Sequence, residues 1–376
     1  MFTVVDLLIA HSLPIKELWT FLSRRRFPPI SLKGGNLMNR TAGQILRQLA
    51  RGPKDFWQLI RHQDSSIKEF IQTLKDLEKS QIIKKKGSVF KLNRKNIKVK
   101  PYIDFGCSVD ENGVNLAENF NHLKERFRKL ARERPLPRED YDQGFMREED
   151  TLKRAIFMYE RGDVEGKKIF ILGDDDLLSL ALGLMGLSNW ITVLEADKRI
   201  TDFITLRVKQ FNLQGIEVLE YNALNELPLE LRNRYHTFVT DPVETWLGFK
   251  VFVGRCIQSL KDRGCSGYFG LTHLEASLQK WYEFEKFLMD CNFVITDILR
   301  DFSFYPEDDN KWQRFYESYR LCKEFSGIGL PKIDWYRSSF VRIEAIDRID
   351  PPELPSSLSS EELYLDEETW ATPSVK

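Results

Sequence analysis

Lys168-Ile-Phe-Ile-Leu172-Gly173-Asp174-Asp175-Asp176-Leu177 carries four consecutive apolar residues straight into a glycine and three aspartates. A short, unbroken apolar run is what a parallel strand covered on both faces requires. Outward from it the pattern recurs in Ile191-Thr-Val-Leu194, Ile216-Glu-Val-Leu219, His236-Thr-Phe-Val-Thr240 and Gly267-Tyr-Phe-Gly-Leu271, with helical stretches between. Strands alternating with helices build a parallel, doubly wound sheet.

Two longer strands, Phe293 to Phe304 and Ser339 to Ile346, follow with no strong helical periodicity between them. They suit the antiparallel terminal pair that methyltransferase-type Rossmann sheets append. The fold class expected is therefore α/β: a Rossmann-like, doubly wound domain over residues 141–349 ending in an antiparallel strand pair, preceded by a winged-helix domain. That second expectation comes from Thr41 to Leu92. Ile45, Leu46 and Leu49 mark a first helix, and Phe56, Leu59 and Ile60 a second. Ser66-x-x-Glu69 is a capping box opening a third, along which Ile67, Phe70, Ile71, Leu74 and Leu77 form one stripe. Ile82-Ile83, a tip at Lys84-Lys-Lys-Gly-Ser88, and Val89 to Leu92 then read as a basic hairpin.

Residues 1–100 are assigned to this basic domain. Residues 101–140 are a connecting segment with an amphipathic helix from Val114 to Arg134, stopped by Pro135 and Pro137. Residues 350–376, with seven carboxylates against Lys376, are expected to be an acidic flexible tail.

The formal net charge is zero, but it is distributed unevenly. Residues 1–100 hold 21 Lys and Arg against 7 Asp and Glu, a balance of +14, which leaves 35 against 49, or −14, for the rest. A basic first part suits a polyanion such as DNA, or the acidic part itself; an acidic second part suits a cationic substrate. The five cysteines form no C-x-x-C pair, which disfavours a disulfide framework or a zinc site and fits reduced thiols. No apolar run is long enough to span a bilayer, and Met1 to Ala10 lacks a basic n-region, so a cytoplasmic protein without a membrane segment is expected.

In an open parallel sheet the ligand lies at the carboxyl ends of the strands. At the first of these ends, where a dinucleotide enzyme carries a glycine-rich phosphate loop, stand Asp174, Asp175 and Asp176. Each carboxylate would repel a phosphate by a few kcal/mol at roughly 4 Å and an effective dielectric near 20. NAD, FAD and ATP are thereby disfavoured, and a phosphate-free, positively charged nucleoside is favoured. Capping of the next helix accounts for one aspartate, not three. After the second strand, Glu195 is placed to hold ribose hydroxyls; after the third, Asn222 is placed to meet an adenine edge. The fourth delivers Asp241-Pro-Val-Glu244-Thr245. Five convergent carboxylates demand a cation or partial protonation. A divalent metal on Asp174, Asp176 and Asp241, or an amine, would serve.

Tyr141-Asp-Gln-Gly144, Leu172-Gly-Asp-Asp-Asp-Leu177, Asp241-Pro-Val-Glu-Thr245, Gly264-Cys-Ser-Gly-Tyr-Phe-Gly270 and Asp334-Trp-Tyr-Arg-Ser338 together resemble the branched-chain polyamine synthases, the bis(aminopropyl)spermidine synthase family. The family pattern has Pro at Val243 and a neighbouring Asp at Asn222. The resemblance implies aminopropyl transfer from decarboxylated S-adenosylmethionine, as co-substrate, to a polyamine such as spermidine, with neither metal nor redox cofactor. It assigns the proton acceptor to Asp176, with Asp175 and Asp174 as the next candidates. Gln143, Gly173, Glu195 and Asn222 would hold the nucleoside, and Tyr141, Asp241 and Glu244 the polyamine. A homodimer is expected. Two other classes compete: an S-adenosylmethionine-dependent N-methyltransferase, against which the missing aromatic at Val243 or Glu244 counts, and a DNA-binding regulator with a ligand-sensing Rossmann domain.

Overall fold

The structure, a computed structural model, describes residues 39–369 apart from short breaks and a longer one at 307–323. Residues 1–38 and 370–376, part of the basic domain and of the acidic tail, lie outside the described residues.

Five parallel strands form the centre of the larger sheet: β6 (Lys168–Leu172), β7 (Trp190–Glu195), β8 (Ile216–Glu220), β9 (Thr237–Thr240) and β10 (Ser266–Leu271). With β11 (Phe293–Phe304) and β12 (Arg337–Ala345) the spatial order is β11-β12-β10-β9-β6-β7-β8, and both contacts of β12 are antiparallel. This is the doubly wound sheet with its terminal pair. The order reverses between β6 and β9, which opens a crevice at their carboxyl ends.

The apolar runs are continuous because both faces are covered. Ile169 and Ile171 of β6 enter a core shared with α4 (Glu118–Ala131), α5 (Glu148–Glu160), α6 (Leu178–Leu184) and α7 (Lys198–Gln210). Phe170 and Leu172, on the other face, pack with α8 (Trp246–Ser259) and α9 (Leu278–Asp290). Side chains of period two thus feed two cores from one strand. Where β6 ends, Gly173 takes φ +76°, a left-handed turn that a glycine adopts without strain.

Ahead of this domain stand α1 (Arg40–Arg51), β1 (Lys54–Asp55), α2 (Phe56–Ile60), α3 (Ile67–Lys79), β2 (Ile83–Lys86) and β3 (Val89–Leu92), with a three-stranded sheet ordered β1-β3-β2 around its own core. Asp55 and Gln58 make a complete capping box for α2. Lys84 to Lys86, expected at the hairpin tip, belong to β2; Gly87 at φ +62° and Ser88 make the turn. The module docks on the larger domain through α1. Arg40 pairs with Glu344 of β12 at 3.0 Å, and Thr41, Gln44, Arg47 and Gln48 are all buried.

Two expectations are corrected. Val114 to Leu116 do not belong to the connecting helix: β5 (Gly113–Leu116) pairs with β4 (Cys107–Asp110), and the helix begins at Glu118. The described part of the tail is packed rather than flexible. Leu363 is buried, its carbonyl accepts from Thr245 Oγ1 at 2.6 Å, and Asp366 pairs with Lys280 at 2.7 Å. Leu363 joins the core that α8 and α9 share, and Leu354 lies against Gly254 of α8.

Candidate active site

A recess at the carboxyl ends of β6 and β9 is walled by Met146, Arg154, Gly173, Asp174, Asp175, Asp176 and Asp241. The three aspartates that follow β6 therefore converge with the aspartate that follows β9, as the strand-end argument requires.

The three are not equivalent. Asp174 turns both oxygens to the Ser179 amide at 3.2 and 3.3 Å, so it is the aspartate that caps the following helix. Burial pushes its carboxyl up to about 8. Asp175 is also pushed up by burial and by the charges of Asp176 and Glu195, and its carbonyl accepts from Arg134 at 3.1 Å. Asp176 accepts from the Met146 amide at 2.8 Å. Burial and the charge of Asp241 raise it to about 6, while Arg154 and Arg134 pull the other way. A carboxyl at that value is ionised at neutral pH yet basic enough to take a proton.

Asp241 is held from two sides. Arg154 reaches its two oxygens at 2.9 and 2.6 Å, and the Gly270 amide donates to Oδ1 at 2.6 Å. Glu244 lies beyond it, accepting from the Thr272 amide at 3.3 Å.

A second group flanks the recess past β7. Glu195 is buried, with Oε2 accepting from the Asp174 amide at 2.9 Å and Oε1 from the Asp197 amide at 2.8 Å. Gln143 donates to Asp197 Oδ2 at 3.1 Å. One chain of hydrogen bonds thus runs from the β6 end through Glu195 to Gln143. Tyr141 is not among the residues that wall the recess; the Arg138 guanidinium lies 5.5 Å from its ring centre. Asn222 is exposed, and its side chain accepts from the Leu224 amide at 2.9 Å, so it closes its own turn and does not line the recess.

Sequence reasoning missed four residues here: Arg134, Arg154, Asp197 and Tyr305. Arg134 stacks on Phe145 at 3.6 Å with Asp176, Asp175 and Asp174 as its counter-charges. Burial raises the Tyr305 hydroxyl well above its ordinary range, beside Asp241. Arg154 alone had a signal: Phe157 and Met158, three and four residues further on, put it on an apolar side of α5, where an arginine must be paired. The metal alternative finds no donor set, since among the described residues no three His, Cys, Asp or Glu side chains are grouped to hold an ion.

The profile of the branched-chain polyamine synthase A C-terminal domain matches residues 122–371. The chain belongs to the branched-chain polyamine synthase family. It is 37% identical over 275 residues to an N(4)-bis(aminopropyl)spermidine synthase of Thermococcus kodakarensis, covering 73% of this chain and 77% of that relative. With the protein of the same description from Methanocaldococcus jannaschii the identity is 35% over 302 residues, or 78% of this chain and 84% of the other. A solved variant of the branched-chain polyamine synthase from Thermus thermophilus, in complex with N4-aminopropylspermidine and 5'-methylthioadenosine, superposes with a TM-score of 0.63. It shares 31% identity and covers 89% of this chain and 93% of its own. Members so named are transferases, and the acidic recess of this chain lies within the matched residues.

Proposed function

We propose that this chain moves an aminopropyl group from decarboxylated S-adenosylmethionine to a polyamine of the spermidine class and releases methylthioadenosine. The observation that carries this reading is Asp176, a buried carboxyl raised to about 6 among further carboxylates and with no phosphate loop beside it. An amine with a solution pKa near 10 must lose a proton to act as nucleophile, and neighbouring carboxylates must hold its other ammonium groups.

The amine lone pair attacks the carbon next to the sulfonium and the carbon–sulfur bond breaks. Its electron pair neutralises sulfur, and the nitrogen's proton passes to Asp176. The sulfonium is its own activating group, so the residues have to align two substrates rather than supply a metal or a redox centre. Asp241, Glu244 and Tyr141 take the polyamine. Glu195 and Gln143 take the nucleoside over Gly173, and Asn222 meets the adenine through the side-chain nitrogen that the bond from the Leu224 amide does not use. Asp175 is the second choice for base and Asp174, committed to Ser179, the third.

Val243 is buried at 4% exposure, and it offers no aromatic platform for a planar methyl acceptor. We read residues 39–97 as a winged helix whose first helix serves as a packing surface, which is supported by the buried polar face of α1. The homodimer and the cytoplasm complete the proposal. Cys256, Cys265 and Cys291 are free and buried, in keeping with a reducing setting, and no described helix is long and apolar enough to cross a membrane.

Incubation with decarboxylated S-adenosylmethionine and spermidine, followed by mass spectrometry, should show a branched product and methylthioadenosine. Methylated product from S-adenosylmethionine, with no aminopropyl product, would replace this reading by the methyltransferase one.

A further inference from the structure

Arg154 is 2% exposed and comes from the middle of α5, a helix that packs on the sheet in the same core as Val239 of β9. Its guanidinium is fixed on every side. Nε donates to Ser303 Oγ of β11 at 2.9 Å and Nη2 to Ser338 Oγ of β12 at 3.3 Å, and the group lies 4.6 Å from the centre of the Phe340 ring. Only Nη1 faces the recess, and it touches both oxygens of Asp241. A methyl group on Gly270 would come within 2.2 Å of Asp241 Oδ1 and 2.9 Å of Arg154 Nη2, so the close approach of all three requires glycine there.

Resting on the aminopropyl reading, we propose that Arg154 is a positioning residue of the transfer. By clamping Asp241 it fixes that carboxylate's orientation and offsets its charge toward Asp176, so that Asp176 rather than Asp241 receives the amine's proton. Without the clamp, two carboxylates would face each other across the crevice and compete for one proton. The other charged or titratable groups around the pair are Tyr305 on the Arg154 side, and Arg134, Asp175 and Asp174 on the Asp176 side. Arg134 donates Nη1 to the carbonyl of Asp175, and its leading counter-charge is Asp176 rather than Asp241.

The sign follows. A cation lowers the proton affinity of Asp176, so removing it must raise that affinity and carry the acid limb of kcat/KM to higher pH. Arg154→Met should move the limb up by about one pH unit and lower kcat by roughly 10- to 100-fold, with methylthioadenosine affinity changed by less than about twofold. Arg154→Lys keeps the charge and loses the serine bonds; it should return the limb to its place while recovering only part of kcat. Should Arg154→Met fail to fold, Gly270→Ala tests the same clamp by displacing the Asp241 carboxylate, with kcat falling and nucleoside affinity retained. Wild-type kcat and pH profile in a folded Arg154→Met, or in Gly270→Ala and Arg154→Lys together, would overturn the proposal. So would a parallel loss of kcat and of nucleoside binding, which marks a structural role only. A carboxyl carbon-13 titration of Asp176, identified by its absence in Asp176→Asn, should move up in Arg154→Met whatever the reaction. If the wild type forms no aminopropyl product, the functional reading fails and that titration still judges the clamp.

Discussion

The Asp174 amide donates to Oε2 of Glu195 at 2.9 Å, so the turn after β6 is tied to the end of β7 by the carboxylate expected to meet a ribose. On the proposed reading Glu195 has two tasks, the one toward the backbone and the one toward the nucleoside. Its other oxygen holds the Asp197 amide, and burial raises its proton affinity against these two bonds.

Glu195→Gln should expose both tasks at once. A glutamine side chain has one accepting oxygen, so it can hold only one of the two amides and sets a donor against the other. A buried amide left unpaired costs about 1–3 kcal/mol. Thermal unfolding should show a lower Tm, and calorimetric titration should show weaker methylthioadenosine binding. Unchanged affinity would remove Glu195 from the nucleoside site.

Asp176→Asn should abolish transfer, by about 100-fold or more as for other general bases, while methylthioadenosine still binds. The amide keeps the shape and the bond to Met146 but cannot accept the proton. In the unmodified chain Asp176 must be ionised to act. Its value is raised, to about 6, so kcat/KM should fall about tenfold per unit as pH drops below that point, earlier than for an ordinary aspartate. Near-normal turnover in Asp176→Asn would move the role to Asp175, whereas a pH profile flat down to pH 4.5 would exclude both of these raised carboxyls.

The strand ends were legible because parallel strands are both apolar and short, which marks where each chain segment turns toward solvent. Asp174 to Asp176, Glu195 and Asp241 all stand where that logic puts them. Arg134 and Arg154 were not legible, since they arrive from helices that the strand pattern does not locate. Asn222 was read from position alone: standing after β8 says that it is near the crevice, while a two-residue bond from the Leu224 amide holds its Oδ1. Charge composition told of an internal contact between opposite parts without telling which face makes it. It is the face of α1, through Arg40, rather than the hairpin.

The tail supplies a stability prediction that reverses the expectation of a dispensable segment. Leu363 is 2% exposed, and Lys280 Nζ binds Asp366 and Thr369 while also donating to the Glu244 carbonyl at 3.0 Å. Leu363→Ala should cost about 2–5 kcal/mol, the range for a buried leucine cut to alanine. Deleting residues 363–376 should lower Tm visibly in calorimetry. An unchanged Tm for both variants would show that the tail lies on the domain without stabilising it.

The last prediction concerns the hairpin left free when α1 docks. Lys84 and Lys91 are cross-strand partners, Lys86 lies on the same face of the ribbon, and none of the three pairs with a carboxylate among the described residues. Like charges directly opposite one another destabilise a sheet pair, so this face gains from a polyanion and loses nothing when neutralised. Among the described residues no acidic partner covers it, Lys84, Lys86 and Lys91 all being exposed, and the whole chain should therefore bind duplex DNA as well as residues 1–100 do. With about four phosphate contacts, affinity should fall roughly 100-fold between 50 and 200 mM salt. Replacing Lys84, Lys85 and Lys86 by alanine should remove that retention in a filter-binding titration, leave aminopropyl turnover within about twofold, and hold or slightly raise Tm. Retention by the isolated segment but not by the whole chain would show that the docked domain does cover the hairpin. Retention by neither would make the module a packing element alone.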